Sequence, residues 1–481
     1  MNSEKITDRG GELWLVGSVA VAVFMARLDI YVVNISLPTI ARHFHAGTSA
    51  VSWITMGYLL LNCASMMLVG RIADSVSPRA LFVVGYAIFT AASLFCDLST
   101  SLGLLIFYRC VQGIGGSILV IMTYTAVSRF LPTARVGGAM GILATCGALG
   151  IAVGSPLGGL LTERLSWPWV FFVNVPIGIL AILLASRAIP AGGGAKSRAG
   201  GLDYPGALLG ILAVVSFILA LNVGQKGSWG LPSVAALFVL SGVSGILFLV
   251  RQMKAENPLI APSLLKDRRF LLANAVSVFG LILMGGNAFL LPFFLELAKG
   301  LSTERAGLVL MVYSVTFMVF SPLTGRMADR LPPWRLCMAG MGLASAGCIL
   351  FARTLGAPGL TRVYVFLVGL GLSYALFMAS SAKQVLGSAP MEHKGAASAV
   401  FGTLYNLSLL LGVNVFETLY AEGGTAPGRA AALAPEAARW VPGFSDAYLF
   451  GACTCVVSLL ICFGIPAFGK GAGELGAEPA R

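Results

Sequence analysis

Residues 70–79 read GRIADSVSPR, and residues 325–335 read GRMADRLPPWR. Each stretch sets arginines, an aspartate and proline between long apolar runs, and Asp74 and Asp329 stand 255 residues apart. Six apolar segments surround the first copy, six surround the second, and two more lie between the sets. A short charged loop repeated in this way predicts a membrane transporter built from an internal repeat. In each copy a glycine, Gly70 or Gly325, lets one helix end, and a proline, Pro78 or Pro332, stops it continuing. Asp74 and Asp329, flanked by Arg79 and Arg330, are candidates for a charge lock that is made and broken in each cycle. A helix N-terminus would stabilise such an aspartate, and the helices that begin near Arg135 and His393 offer receiving ends with small residues. A solvated turn with anchoring arginines is the plain alternative.

Charged residues make up 11% of the 481 residues and hydrophobic ones 57%. Runs of about 20 apolar residues can each span a hydrocarbon core of about 30 Å as a helix. The expected fold is therefore an all-α polytopic membrane protein with fourteen spans. The runs place helices over 14–37, 51–69, 80–95, 102–127, 138–161 and 169–188 in a first set, residues 1–190. A Gly-rich linker (191–201), two helices (204–221 and 232–250) and a basic connector (251–269) make up residues 191–269. The second set, residues 270–481, holds helices over 270–297, 306–324, 336–351, 363–382, 396–420 and 447–468, with a longer loop over 421–445.

The net charge of +12 is better explained by the positive-inside rule than by nucleic acid. Loops on the side of the termini hold about 21 Lys and Arg against about 9 on the other side, with Arg27 and Arg109 left inside helices. That bias puts both termini and both GRxAD loops in the cytoplasm, at a cytoplasmic (inner) membrane. The first apolar run is too long for a cleavable signal peptide and should remain as helix one. All nine cysteines fall in or beside apolar segments, which argues against a disulfide framework. Cys453 and Cys455 form CxC with no histidine or acid nearby, so no metal site is expected. His43 and His45 fall in a short external loop as solvated residues or pH sensors.

Asp29 is the sharpest functional candidate, because a charge near the bilayer centre costs about 2.5–3.5 kcal/mol and must face a cavity or a partner. Arg27, Tyr31, Asn34 and Pro38 share one stripe of helix one, and Asp29 and Ser36 lie nearly opposite. One stripe should line a central cavity and the other should contact its own bundle; the pattern does not say which. Arg109 and Asp29 both lie about 12–14 Å from the outer end of their helices, so they could meet. Glu417 and Glu296, near outer helix ends, fit an interfacial position. Tyr31, Asn34, Gln112, Tyr124, Asn287, Tyr313, Tyr405 and Asn406, with Tyr374 and Asn414, are candidates for a substrate cavity, since aromatic faces attract cations. Packing is the alternative for each aromatic. Gly150, Gly154 and Gly158 recur every fourth residue around Pro156 and form a face that another helix can approach closely.

The chain resembles the major facilitator superfamily, and within it the fourteen-helix drug:proton antiporters. The family's loop motif matches Gly70, Asp74 and Arg79. Its helix-one pattern LDxxxVNxxLP matches Leu28, Asp29, Val33, Asn34, Leu37 and Pro38. Its helix-four RxxQG matches Arg109, Gln112 and Gly113, and its helix-six WxWxFxxNVPIG matches Trp167, Trp169, Phe171 and Asn174 to Gly178. The helix-five antiport pattern GPxxGG departs: here it reads Gly154, Ser155, Pro156, Leu157, Gly158, Gly159, with the proline displaced by one residue. The resemblance implies two six-helix bundles with helices seven and eight as an inserted pair beside them. It implies a proton-coupling role for Arg109 and a part in substrate or proton handling for an acid at Glu417. The acids that some relatives carry in helices two and ten are absent, which argues against broad recognition of divalent cations.

These features together predict a monomeric transporter, not an enzyme, whose partners are protons, membrane lipid and a small-molecule substrate. No cofactor is expected, and the lack of a GxxxxGK[ST] loop argues against ATP as the driver. The expected activity is proton-driven efflux of lipophilic, cationic drugs by alternating access, with Asp29, Arg109 and Glu417 in proton coupling. An exporter of one metabolite, peptide or lipid-like molecule, and a non-transporting membrane sensor, are the alternatives.

Overall fold

In lipid, backbone N–H and C=O groups must be satisfied within the chain, and every regular element among the described residues is a helix. The computed structural model describes residues 9–190, 203–226, 231–255, 258, 262–390, 394–425 and 436–464. The linker expected over 191–201 and His393 lie outside them. The first set of helices is α1 (Arg9–His43), α2 (Thr48–Ser75), α3 (Pro78–Asp97), α4 (Leu102–Phe130), α5 (Thr133–Arg164), α6 (Trp169–Phe172) and α7 (Asn174–Ala188). Then come α8 (Tyr204–Lys226), α9 (Leu231–Lys254) and the short α10 (Pro262–Lys266). The second set is α11 (Arg268–Phe293), α12 (Thr303–Arg330), α13 (Pro333–Thr354), α14 (Thr361–Ser388), α15 (Lys394–Thr425) and α16 (Glu436–Gly464). With α6 and α7 taken as one rod, thirteen of these are long and apolar enough to cross a membrane, and the 28-residue α2 is a fourteenth rod.

The repeated charged stretches are mostly helix, which corrects the expectation that Gly70 and Gly325 end their helices. Glycine costs a helix interior about 1 kcal/mol relative to alanine and does not by itself terminate it. α2 runs on to Ser75 and α12 to Arg330. The prolines hold the residues before them, Ser77 and Leu331, extended and keep α2 and α12 from running on. Val76 (φ −110°, ψ 156°) and Leu331 (φ −111°, ψ 151°) leave the helices in the same way. Ser77 (φ −55°, ψ 126°) and Pro332 (φ −57°, ψ 125°) then cap α3 and α13. The backbone thus repeats at the 255-residue offset of the two aspartates. We call the end of the molecule that carries these turns the turn face.

Packing repeats as well. α1 pairs with α5 as α11 pairs with α15, α2 with α4 as α12 with α14, and α3 with α7 as α13 with α16. The sets meet along two seams, α5 against α12 and α2 against α15, with α1 against α11 between them. α8 and α9 form a pair tied by Arg251 to Asp203, and α8 packs beside α2 and α15, where Trp53 donates to Asn222 (3.1 Å).

Several other boundaries differ. α1 is longer than expected and takes His43 as its last residue. The sixth rod breaks at Val173, because Pro176 cannot donate in the first turn of α7. Helix covers 421–425 and 436–445 of the expected loop. After Pro292, α11 ends in a π-turn, Phe294–Ala298, that contains Glu296.

Candidate functional site

Asp29 is completely buried, and all its described partners come from the first set. One carboxylate oxygen accepts from Arg109 Nη1 (2.7 Å); the other accepts from Gln112 Nε2 (3.0 Å) and Asn174 Nδ2 (2.9 Å). Arg109 also donates to the Ile54 carbonyl (3.1 Å) and to Gln112 Oε1, and its guanidinium lies 4.5 Å from the Tyr58 ring centroid. Gln112 donates in turn to Ser93 Oγ (2.7 Å). Three motifs that are far apart in the chain therefore meet in one network: Asp29 from α1, Arg109 and Gln112 from α4, Asn174 from α7. Gln112, a sequence candidate for substrate binding, belongs to this network. In the sequence Asn174 stands within the helix-six pattern and Ser93 in no motif. Asn174 stands at the helix break made by Pro176, which marks it in the sequence; Ser93 carries no such mark.

The opposite stripe of α1 faces the second set. Arg27 is half-buried, donates to Tyr405 Oη (2.9 Å) on α15, and lies 5.1 Å from that ring's centroid. One turn on, Tyr31 and then Asn34 line a cavity between the sets, with Ser155 of α5, Asn287 of α11, Tyr313 of α12 and Tyr374 of α14; at about 20 Å³ it has room for one water in this arrangement, so a substrate enters only as the sets part. Thr55 donates to Asn34 Oδ1 (2.8 Å) and Tyr448 to Asn287 Oδ1 (3.1 Å). No carboxylate lines this cavity among the described residues. Asn406 lies on the α2–α15 seam, donating to Asn62 Oδ1 (3.2 Å), and Asn62 donates to the Gly113 carbonyl (3.2 Å). A hydrogen-bonded path thus runs from the RxxQG segment of α4 into the second set, through an Asn62 that the sequence did not single out. Tyr124 is 55% exposed and does not line the cavity.

The end away from the turn face is closed by bonds between the sets. Arg42 pairs with Glu296 (2.8 Å) and Arg164 with Glu304 (3.0 Å). Thr39 and Thr303 hydroxyls meet at 3.2 Å, and Glu163 accepts from the Glu304 backbone N–H (2.7 Å). Glu296, 8% exposed, corrects the expectation of an interfacial acid, and Glu417, 3% exposed, loses the interfacial alternative to substrate or proton handling. Their helix ends are covered by the facing set, and Thr48 donates to Glu417 (3.4 Å).

The glycines of α5 face α1. A Cβ at Gly150 would lie 2.6 Å from the Phe24 carbonyl, at Gly154 2.7 Å from Tyr31 Cβ, and at Gly158 2.6 Å from the Val32 carbonyl. Pro156 lies within α5. The adjoining face meets α12, where a Cβ at Gly159 would lie 2.5 Å from the Thr303 carbonyl. Of the repeated stretches, Arg79 donates to the Ile189 carbonyl at the end of α7, and Arg330 is exposed. The side chains of Asp74 and Asp329 lie outside what the structure describes. Arg135, at a suggested receiving end, pairs with Glu12 of α1.

Two helical sets with matching internal packing, a cavity between them and one closed end define a multi-pass membrane transporter. The Major Facilitator Superfamily profile matches residues 19–413, and the chain belongs to that family. It is 29% identical over 444 residues to the riboflavin transporter RibZ of Clostridioides difficile, covering 92% of this chain and 95% of that protein. It is 28% identical over 366 residues to the multidrug transporter protein MdtP of Bacillus subtilis, covering 75% and 67%. Among solved structures, a POT family transporter in complex with a thioalcohol-conjugated peptide superposes with a TM-score of 0.69 at 15% identity, over 95% of this chain and 96% of that one. A bacterial homologue of the lysosomal transporter Spinster, in an inward-facing, unoccupied conformation, superposes with a TM-score of 0.67 at 14% identity, over 96% and 98%. At these identities the structures support the fold alone.

Proposed function

We propose that the chain exports lipophilic small molecules across the cytoplasmic membrane by alternating access, in exchange for protons, as the fourteen-helix drug:proton antiporters do. The observation that carries this is the cavity between the two sets, closed at one end by Arg42–Glu296 and Arg164–Glu304. Breaking those bonds and closing the turn face would expose the same cavity to the other side. With both termini cytoplasmic, the closed end is the outer one. Relatives named as multidrug transporters support a drug-like substrate, and one named as a riboflavin transporter supports a single metabolite as the second reading.

Asp29 is the coupling carboxylate of this reading. Protonating it removes the counter-charge of Arg109, which stays protonated at any working pH. The network that ties α1 to α4 and α7 then loosens, and the path through Asn62 and Asn406 carries the change to the second set. Glu417, buried at the seam, is the second proton site. One pH unit supplies about 1.4 kcal/mol per proton, and each 100 mV about 2.3 kcal/mol per charge moved. Asp29 lies behind α1, away from the cavity, so a cationic substrate has no carboxylate to meet there. The reading therefore keeps lipophilic compounds and drops the preference for cations.

The test is purified protein in liposomes with a trapped pH-sensitive dye, an imposed proton gradient and a panel of lipophilic compounds. Compound-dependent proton flux in the wild type that disappears in Asp29→Asn supports antiport. Flux that persists in Asp29→Asn moves coupling to Glu417, and no flux with any compound, from folded protein, overturns drug antiport in favour of a narrow exporter.

A further inference from the structure

Arg27 lies near the middle of α1, eighteen residues after Arg9 and sixteen before His43. A guanidinium at that depth is costly and marks a functional site by default, with a partner to be named. Arg109, well inside α4, has Asp29. Arg27 has no carboxylate partner among the described residues; its one hydrogen bond goes to a neutral phenol, Tyr405. None of its nitrogens is among the fully buried polar atoms that lack a partner. The stem runs over the glycines of α5: a Cβ at Gly150 would lie 3.0 Å from Arg27 Cβ, and one at Gly147 3.8 Å from Cγ. Those glycines leave room for the arginine to lean across toward α15.

The cavity begins one turn from this cation; Tyr31, Tyr313, Tyr374, Asn34 and Asn287 share its walls with Ser155, Ser314 and seven apolar side chains. Low dielectric makes that charge effective over several ångströms, and a planar guanidinium fork matches a carboxylate in bidentate fashion.

We infer that the cavity selects flat aromatic molecules that carry a negative charge, and that Arg27 is the counter-ion the substrate meets. The tyrosines supply faces for the ring system, and the amides of Asn34 and Asn287 supply polar contacts to its edge. This names the substrate class of the site proposed above and rests on that reading for the site's location. The cost of the isolated arginine is relieved when the anion binds, so binding and charge neutralisation are one event. A cation in the same place is repelled.

The test measures equilibrium binding to the purified full chain in detergent micelles, without a gradient, using three probes of one shape: 2-naphthoate, 2-naphthylmethanol and 2-naphthylmethylammonium. Titration calorimetry should show naphthoate binding at least tenfold tighter than the ammonium, with the alcohol between. Arg27→Gln should bring the three within about threefold, and Arg27→Lys should restore the order. Circular dichroism melting reports whether each variant is folded. Equal affinities in the wild type, a preference for the ammonium, an anion preference that survives Arg27→Gln in folded protein, or no binding by any probe would each overturn the inference. Because no proton gradient is involved, a failure of proton-coupled export leaves this result readable, and the converse holds.

Discussion

Arg27 and Asp29 stand two residues apart on α1 and meet opposite surroundings. Asp29 is fully buried and receives hydrogen bonds from three side chains, all in its own set. Arg27 is half-buried and reaches one phenol in the facing set. Two residues of helix turn the side chain by about 200°, so adjacent charges can serve a fixed core and a moving seam. The difference teaches that a charge in a transporter helix is understood by which set supplies its partners. A charge satisfied within one set keeps its partners while the sets move relative to each other, whereas a charge that reaches across must change partners when they do.

The largest effect should come from breaking the fixed side of that comparison. Arg109→Ala leaves Asp29 buried without its counter-charge, and losses of this kind run to about 3–5 kcal/mol. We expect little folded protein, read as expression and melting temperature. The double variant Asp29→Asn with Arg109→Gln removes both charges and should recover much of the stability while abolishing coupled flux. A single Arg109→Ala that folds normally would show that the network is not a unit.

The seam between α1 and α5 comes next, since it sets the direction of both stripes. Gly158→Val adds atoms where even a Cβ would approach the Val32 carbonyl to 2.6 Å. Overpacking of this kind costs about 1–3 kcal/mol. Gly141→Val on the same helix, where a Cβ would meet nothing within 4 Å, should melt within about 1 kcal/mol of wild type. Equal losses at the two sites would mean that the glycine face is a matter of helix propensity and not of close approach.

Arg27→Gln sharpens the comparison from the moving side. It removes an uncompensated charge, so melting should change little or rise slightly, by about 1 kcal/mol or less. A drop as large as that of Arg109→Ala would place Arg27 in the fixed core and erase the distinction between the two stripes.

Much of this was legible in the sequence for a physical reason. Span count follows from apolar length, and the two stripes of α1 follow from helix periodicity. The meeting of Asp29 and Arg109 followed from equal depth. What was not legible depends on the facing set. Periodicity could not tell which stripe looks inward, because both carry polar residues. Glu417 and Glu296 read as shallow because burial at a helix end is decided by neighbours such as Thr48 and Arg42, which lie far away in sequence. Gly70 ends nothing, because a lone glycine costs a helix only about 1 kcal/mol and α2 runs on to Ser75, close to Pro78. Asn62 carries no motif at all, and only its position between Gly113 and Asn406 gives it meaning.

The smallest effect on stability concerns the closed end. The Arg42 side chain is 56% exposed where it pairs with Glu296, and exposed pairs contribute about 0–1 kcal/mol after solvent screening. Arg42→Gln should therefore leave the melting temperature nearly unchanged. Its effect on the equilibrium between closed and open ends is another matter, because the bond exists only while that end is shut. A loss of about 0.7 kcal/mol in that state alone shifts a two-state population roughly threefold. Spin labels at Gly47 and Gly300, both in connections at that end, would report the shift as a longer distance component in pulsed dipolar spectra. Arg27→Gln, without anion present, should leave that distribution nearly as in wild type if its partner is the substrate rather than the seam. If Arg27→Gln opened the end as much as Arg42→Gln does, the Arg27–Tyr405 contact would be a structural clasp between the sets, and the charge of Arg27 would belong to the gate and not to the cavity.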